Sequence, residues 1–261
     1  MKLLGRKQTA GQDSWLSARA HIEQIVPRND FDTLLARTVE DVLMTTRGKS
    51  VAFAWSGGKD SLALEYVMYQ TGVRECMMGL CDLEYPAFLQ WVTDHMPPLL
   101  ELVHTGQDLD WLASHLDMLF PQDATTAAKW FKVVQHTAQA RYYREYSLDM
   151  LILGRRKMDG NYTGAAGANC YTNVEGVTRY SPLRDWTHED VLACLHYHAL
   201  PVPPIYDWPN GYRVGTGPWA ARQWTGSTEQ GWQEVYTIDP RVVHAAATRL
   251  PSAQDFLARC A

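Results

Sequence analysis

The chain has 261 residues, 46% hydrophobic and 20% charged, with a formal net charge of -5 and a pI near 6.0. That is enough for one large domain, or a domain with an appendage, around a sizeable core, and it argues against a general nucleic-acid coat while leaving a local basic groove open. No apolar run approaches the ~18–20 residues of a membrane span, MKLLGRKQTAGQDSW shows no signal-peptide core, and the cysteines (Cys76, Cys81, Cys170, Cys194, Cys260) form no C-x-x-C pair, so the expectation is a reduced, cytoplasmic protein without membrane partner, disulfide framework or Cys-rich metal site.

In chain order, residues 13–26 and 30–47 carry apolar side chains at helical spacing; Asp30 or Asp32 suits the second N-cap, and Arg47-Gly48 ends it. VAFAW (51–55) reads as a buried strand. Leu62, Leu64, Val67 and Met68 then set a helix over 60–71, closed by Gly72. A strand at 76–81, a helix at 85–96 stopped by Pro97-Pro98, a strand at 99–104, helices at 107–119 and 125–146 and a strand at 149–154 follow. Strands alternating with helices predict an α/β fold with a parallel, doubly wound sheet. After 160 the pattern turns irregular and rich in Gly, Asn, Tyr and Trp, with one clear helix at 186–200, capped by Thr187 with Glu189 and Asp190 in its first turn. The ten tryptophans read first as packing and second as platforms for a flat ligand. His196 and His198 face apart on their helix, and the remaining histidines have no partner at ligand spacing, so no metal pair is expected.

The most informative stretch is Ser56-Gly57-Gly58-Lys59-Asp60-Ser61, between the first strand and its helix. Adjacent glycines favour neither element and suit a turn whose backbone passes close to something. Such a turn leaves N–H groups free to bind phosphate oxygens with the helix dipole behind them. Ser56 and Ser61 add hydroxyls and Lys59 a charge, whereas Asp60 can only accept, which suits it to magnesium or to orienting the loop. The run matches neither the Walker A loop nor the Rossmann glycine pattern. Gly154-Arg155-Arg156 ends another apolar strand, and ligands of such sheets bind beyond the carboxyl ends, so both segments are expected at one site. Guanidinium forks suit oxyanions.

This loop resembles the S-G-G-x-D-S motif of the PP-loop ATP pyrophosphatases. LILGRRKMDG (151–160), YSPLRDW with Asp190 and Val191, and the Pro201 to Tyr206 segment look like the branch of phosphoadenylylsulfate (PAPS) reductases. That branch also holds the ATP sulfurylase small subunit, the DNA phosphorothioation protein and FAD synthases. The resemblance spans about residues 45–210. It implies an adenine nucleotide α-hydrolase-like fold, with ATP and Mg²⁺ as cofactors and cleavage between the α- and β-phosphates. Ser56, Gly57, Gly58, Lys59, Asp60 and Ser61 would bind the nucleotide, Lys59, Asp60, Arg155 and Arg156 would act in catalysis, and Asp60 would hold the metal. With the element pattern on either side of it, the expected segments are 1–48 (helical), 49–207 (nucleotide-binding α/β) and 208–261 (cover, substrate or partner region).

The chain departs from the reductases in its loop, in having Met158-Asp159-Gly160 where they carry Glu-Ser, and in its ending Arg259-Cys260-Ala261, which lacks their Glu-Cys-Gly-Leu-His tail. Three expectations follow: an ATP-dependent adenylyl transferase first, then a thiol-dependent reductase of an adenylylated sulfate, then a non-catalytic nucleotide-binding module. The expected partner is a small-molecule nucleotide, with a protein partner that supplies or regulates activity left open and nucleic acid not supported by the net charge.

Overall fold

A computed structural model describes Leu4, residues 10–223 and residues 225–260. Most of the stretch read for a signal peptide lies outside the described residues. The chain opens with helices α1 (Gln12–Ala20), α2 (Ile22–Ile25) and α3 (Arg28–Thr46). The first expected helix is thus two, broken at His21, and α3 starts earlier than expected, after Pro27 and without a side-chain cap.

Six strands form one sheet: β1 (Val51–Ala54), β2 (Cys76–Leu80), β3 (Leu100–His104), β4 (Met150–Ile152), β5 (Cys170–Thr172) and β6 (Thr178–Tyr180), in the order β3-β2-β1-β4-β6-β5. All neighbours are parallel except β5, which runs antiparallel to β6. Both β5 and β6 lie in the stretch read as irregular. Each is three residues long (CYT and TRY) and too short and too polar to announce itself by alternation.

Helices α4 (Lys59–Thr71) and α5 (Pro86–His95) follow β1 and β2. The helix expected at 107–119 is only α6 (Leu109–Ala113) and a 3₁₀ turn at Leu116–Met118, ahead of Phe120, which has a positive φ of 49°. The long helix expected next is present as α7 (Ala124–Trp130) and α8 (Thr137–Glu145), joined through a π-helical turn at Phe131–His136. Helix α9 (His188–Tyr197) is capped as expected: Thr187 accepts from the Asp190 N–H, and the Asp190 carboxylate accepts from that of Thr187. The C-terminal region read as irregular holds α10 (Gly211–Val214), α11 (Thr228–Ile238), α12 (Pro240–Ala246) and α13 (Pro251–Cys260).

Alternation along the strands sends Phe53, Met78 and Ile152 to the face packed by α4 and α9, and Ala52, Met77 and Leu151 to the face packed by Ala138 and Tyr142 of α8. One hydrophobic cluster joins Trp15 and Phe31 of the N-terminal helices to Phe53, Trp186, Trp232 and Phe256. Four of the tryptophans (15, 55, 186 and 232) are wholly buried, so packing is their role. Among the described residues no helix is long and apolar enough to cross a membrane.

The order places the chain reversal between β1 and β4. From β1 the chain winds one way through β2 and β3, then returns to set β4 against the other side of β1. The carboxyl ends at such a switch point leave a crevice where ligands of doubly wound sheets bind.

Candidate functional site

The crevice between β1 and β4 is where the two expected segments meet. Ser56 to Ser61 leaves β1 and opens α4, with Gly58 as the N-cap. Gly57 has a φ of +65°, and a Cβ there would stand 3.0 Å from the Trp91 ring and 3.1 Å from that of Phe88. Only glycine makes this turn against that aromatic wall. Gly154, just past β4, is confined by space alone, since a Cβ would come within 3.2 Å of the Asp60 carbonyl oxygen. The end of β4 therefore packs closely on the first turn of α4.

The serines brace the turn internally. The Ser61 hydroxyl donates to the Gly58 carbonyl at 2.8 Å and accepts from the Ser56 N–H at 3.1 Å, and the Ser56 hydroxyl accepts a longer bond, 3.4 Å, from the Gly58 N–H. The first N–H groups of a helix have no intrahelical acceptor. At α4 the Lys59 N–H donates to the Tyr206 hydroxyl at 2.7 Å. Tyr206 belongs to the turn Pro204–Asp207 and is buried, which pushes its own ionisation far up. An oxygen from a remote segment thus already sits on the helix N-terminus, where the dipole favours negative charge.

Lys59 and Arg156 lie behind the loop instead of in its mouth. Lys59 is 1% exposed; its Nζ lies 2.7 Å from Asp60 Oδ2 and 5.3 Å above the Trp15 ring. Arg156 is completely buried, and all three guanidinium nitrogens are engaged. Nε forms an ion pair with Asp60 Oδ1 at 2.7 Å and Nη2 another with Asp159 Oδ2 at 3.0 Å. Nη1 donates to the Trp186 carbonyl at 3.3 Å, and Nη2 to His188 Nδ1 at 2.9 Å. His188 meets Trp15 edge-on at 4.6 Å, which closes a ring of contacts back to Lys59. Their ion pairs give Lys59, expected as a point charge on phosphate, and Arg156, expected as a fork on an oxyanion, the geometry of groups that position Asp60 and the turn.

Asp60 is fixed between two cations, with its side chain 26% exposed. That arrangement does not suit it as a magnesium ligand, because both oxygens are already neutralised. Among the described residues no group of three His, Cys, Asp or Glu side chains could hold a metal.

Arg155 points elsewhere. Its Nη1 donates to the Tyr171 hydroxyl and its Nη2 to His136 Nε2, both at 3.1 Å. Of the six loop residues and two arginines, the structure brings all to the carboxyl ends of β1 and β4, with Arg155 on the α8 side and Arg156 on the α9 side.

Sequence reasoning missed Trp15, His188 and Tyr206 as parts of this site; of these only Tyr206 carried a signal, as the end of the Pro201 to Tyr206 segment. It also missed Glu84, after β2, which is buried and has its carboxyl pushed up to about 8 by that burial. No charge pattern in the sequence marks that burial. The five cysteines are free thiols. Burial pushes Cys76 and Cys194 up to about 12 and Cys81 higher still, Cys170 is half-buried on β5, and Cys260 is exposed at the end of α13.

Comparison with known proteins identifies the family of this fold. A family model described as the phosphoadenosine phosphosulfate reductase domain matches residues 50–216. The phosphoadenosine 5'-phosphosulfate reductase of Vibrio parahaemolyticus is 23% identical over 146 residues, which cover 56% of this chain and 55% of the relative. That of Vibrio campbellii is 24% identical over 125 residues, 48% and 47% of the two chains. The alignments thus span about half the length of these curated relatives. The crystal structure of phosphoadenylyl-sulfate reductase from Candida auris, a phosphate complex, superposes with a TM-score of 0.51 at 16% identity, covering 74% of this chain and 95% of that one, a likeness of fold. With more than half of its length matched by the family model, on a sheet whose switch point carries the glycine loop, the chain belongs to the phosphoadenosine phosphosulfate reductase domain family.

Proposed function

We propose that the chain binds ATP on the Ser56–Ser61 turn and transfers AMP to an acceptor with release of pyrophosphate. The observation that carries this reading is the turn itself: a glycine-rich strand-to-helix connection at the switch point, braced by Ser56 and Ser61, with the N-terminus of α4 behind it. A phosphate oxygen would replace the Tyr206 hydroxyl on the Lys59 N–H and the Ser56 hydroxyl on the Gly58 N–H, and these dipoles would then hold the phosphates where negative charge accumulates on the leaving group. An acceptor oxygen would bond to the α-phosphorus as the bond to the β-phosphate oxygen breaks; pyrophosphate leaves with the electron pair, and the acceptor's proton passes to solvent. Lys59, Asp60 and Arg156 hold the turn in shape, and Arg155 faces the acceptor. Magnesium would arrive on the nucleotide's phosphates, since Asp60 is occupied. The free thiols fit a cytoplasmic setting.

The second reading is a thiol-dependent reductase of an adenylylated sulfate, favoured by the family match. That chemistry needs a thiolate, and three of the five thiols are buried with their ionisation pushed far above neutrality. The test incubates the protein with ATP and magnesium and follows pyrophosphate, with adenylylated products sought by mass spectrometry. In parallel, phosphoadenylylsulfate and reduced thioredoxin are supplied and sulfite is measured. Pyrophosphate without sulfite supports the first reading; sulfite without pyrophosphate replaces it with the second.

A further inference from the structure

A second group of cations gathers on the α8 face, away from the glycine turn. Arg179, in β6, is 6% exposed. Its Nη2 donates to Gln139 Oε1 and its guanidinium lies 5.8 Å from the Tyr143 ring centre, while its buried Nε has no acceptor among the described residues. Arg155 contributes the fork already described, held by Tyr171, by the Tyr162 carbonyl at 3.4 Å and by His136. Among the described residues no carboxylate lies within 4.0 Å of either guanidinium. The acid of this face, Glu175, is taken by Arg144 and the Tyr143 hydroxyl.

Tyr171, which accepts from Arg155, is the cross-strand neighbour of Arg179 in β5 and β6, so two guanidinium groups, one of them nine-tenths buried, share this face without a carboxylate partner among the described residues, an expensive arrangement. The Gln139 bond and the Tyr143 ring offset only part of that cost. His136 completes the group from the end of the π-helical turn, an irregularity that recurs at functional sites. Burial, then Arg155 and Arg179, push its ionisation down, so it accepts from Arg155 as a neutral ring and can turn to donate.

We propose that Arg155, Arg179, His136 and Tyr171 form a second oxyanion site, which takes a phosphate or sulfate group of the acceptor while the triphosphate occupies the glycine turn. From the proposed function this takes only the location of the triphosphate. A tetrahedral oxyanion can accept from both forks and from the Tyr171 hydroxyl, and it would supply the missing negative charge.

Calorimetry with inorganic sulfate, inorganic phosphate and phenyl phosphate as probes tests the site, each titrated with and without saturating α,β-methylene-ATP. At least one probe should bind in both conditions. Tighter binding of phenyl phosphate marks an organic ester as the natural group, and tighter binding of the free ions marks an inorganic acceptor. Arg179→Gln and Arg155→Gln should each weaken binding at least about tenfold, as expected for a charge-assisted bond; Arg144→Gln, on the same face but paired with Glu175, should not. Arg155 is only half-buried, so its variant carries the test if Arg179→Gln fails to fold. No binding by the wild type, binding undiminished in the folded variants, or displacement of the probe by the ATP analogue would overturn the proposal. Probe binding that depends on Arg155 in a protein that ignores the analogue would sink the ATP reading and leave this site standing.

Discussion

Replacing Arg156 with methionine tests whether the charge behind the loop is structural. The guanidinium is completely buried and neutralises two carboxylates, Asp60 at 2.7 Å and Asp159 at 3.0 Å. Breaking a buried ion pair from one side costs about 3–5 kcal/mol, because the orphaned charge stays in a poor solvent. Here the loss falls unevenly. Asp60 keeps Lys59 at 2.7 Å, whereas Asp159, with its side chain 12% exposed, has no other ion pair among the described residues. The lower end, about 3 kcal/mol, is therefore expected. At roughly 2–3 °C per kcal/mol for a chain of this size, the melting temperature should fall by about 6–9 °C. Adding Asp159→Asn removes the orphaned charge and should recover at least about 1 kcal/mol in a double-mutant cycle. Arg156→Lys should behave like the methionine variant, because one ammonium cannot span Asp60, Asp159 and the Trp186 carbonyl. Scanning calorimetry gives the stabilities, and titration with ATP gives the affinity of the folded fraction. A methionine variant that melts within about 2 °C of wild type would refute the argument from burial. One that is equally stable but blind to ATP would show that Arg156 touches the ligand.

Gly57→Ala should destabilise the fold by about 1–2 kcal/mol through its left-handed backbone alone, and more because the new methyl meets Trp91 and Phe88; loss of ATP binding in calorimetry should accompany the lower melting temperature. Glu84, pushed by burial from the usual carboxylate range up to about 8, should make stability fall as pH rises across that interval, since the folded state holds the proton that the unfolded state gives up. Glu84→Gln should flatten that slope in melts from pH 5 to 9, and a slope unchanged in the variant would assign it to other groups. The Cys170→Ser, Cys260→Ser double variant should keep whatever ATP-dependent activity the wild type has, and wild type should make no sulfite from phosphoadenylylsulfate with reduced thioredoxin. Sulfite that disappears in Cys260→Ser protein would promote the reductase reading.

What the sequence by itself determined is local or periodic. The strands β1 to β4 showed as apolar runs between helices, and the order of these elements was enough for a doubly wound sheet. The turn from Ser56 to Ser61 was legible because two glycines between a strand and a helix have few other uses. Thr187 was legible because a cap and its reciprocal acid lie within one helical turn. The places where the reading failed depend on distant partners. Strands β5 and β6 are three residues each and exist because β4 offers an edge for β6 to pair with and β6 in turn offers one to β5. The helix expected at 107–119 has the right spacing, but the chain turns at Phe120, whose N–H bonds the Ala220 carbonyl and whose ring packs edge-on against Trp232. Lys59 and Arg156 looked like phosphate-facing charges because strand ends carry such charges. Whether a side chain points into a crevice or under a helix is settled by what waits there, here Trp15, Asp159 and His188, drawn from three separate segments. Arg179 gave no signal at all, since an arginine in a short strand is ordinary until the fold surrounds it and leaves it without an acid.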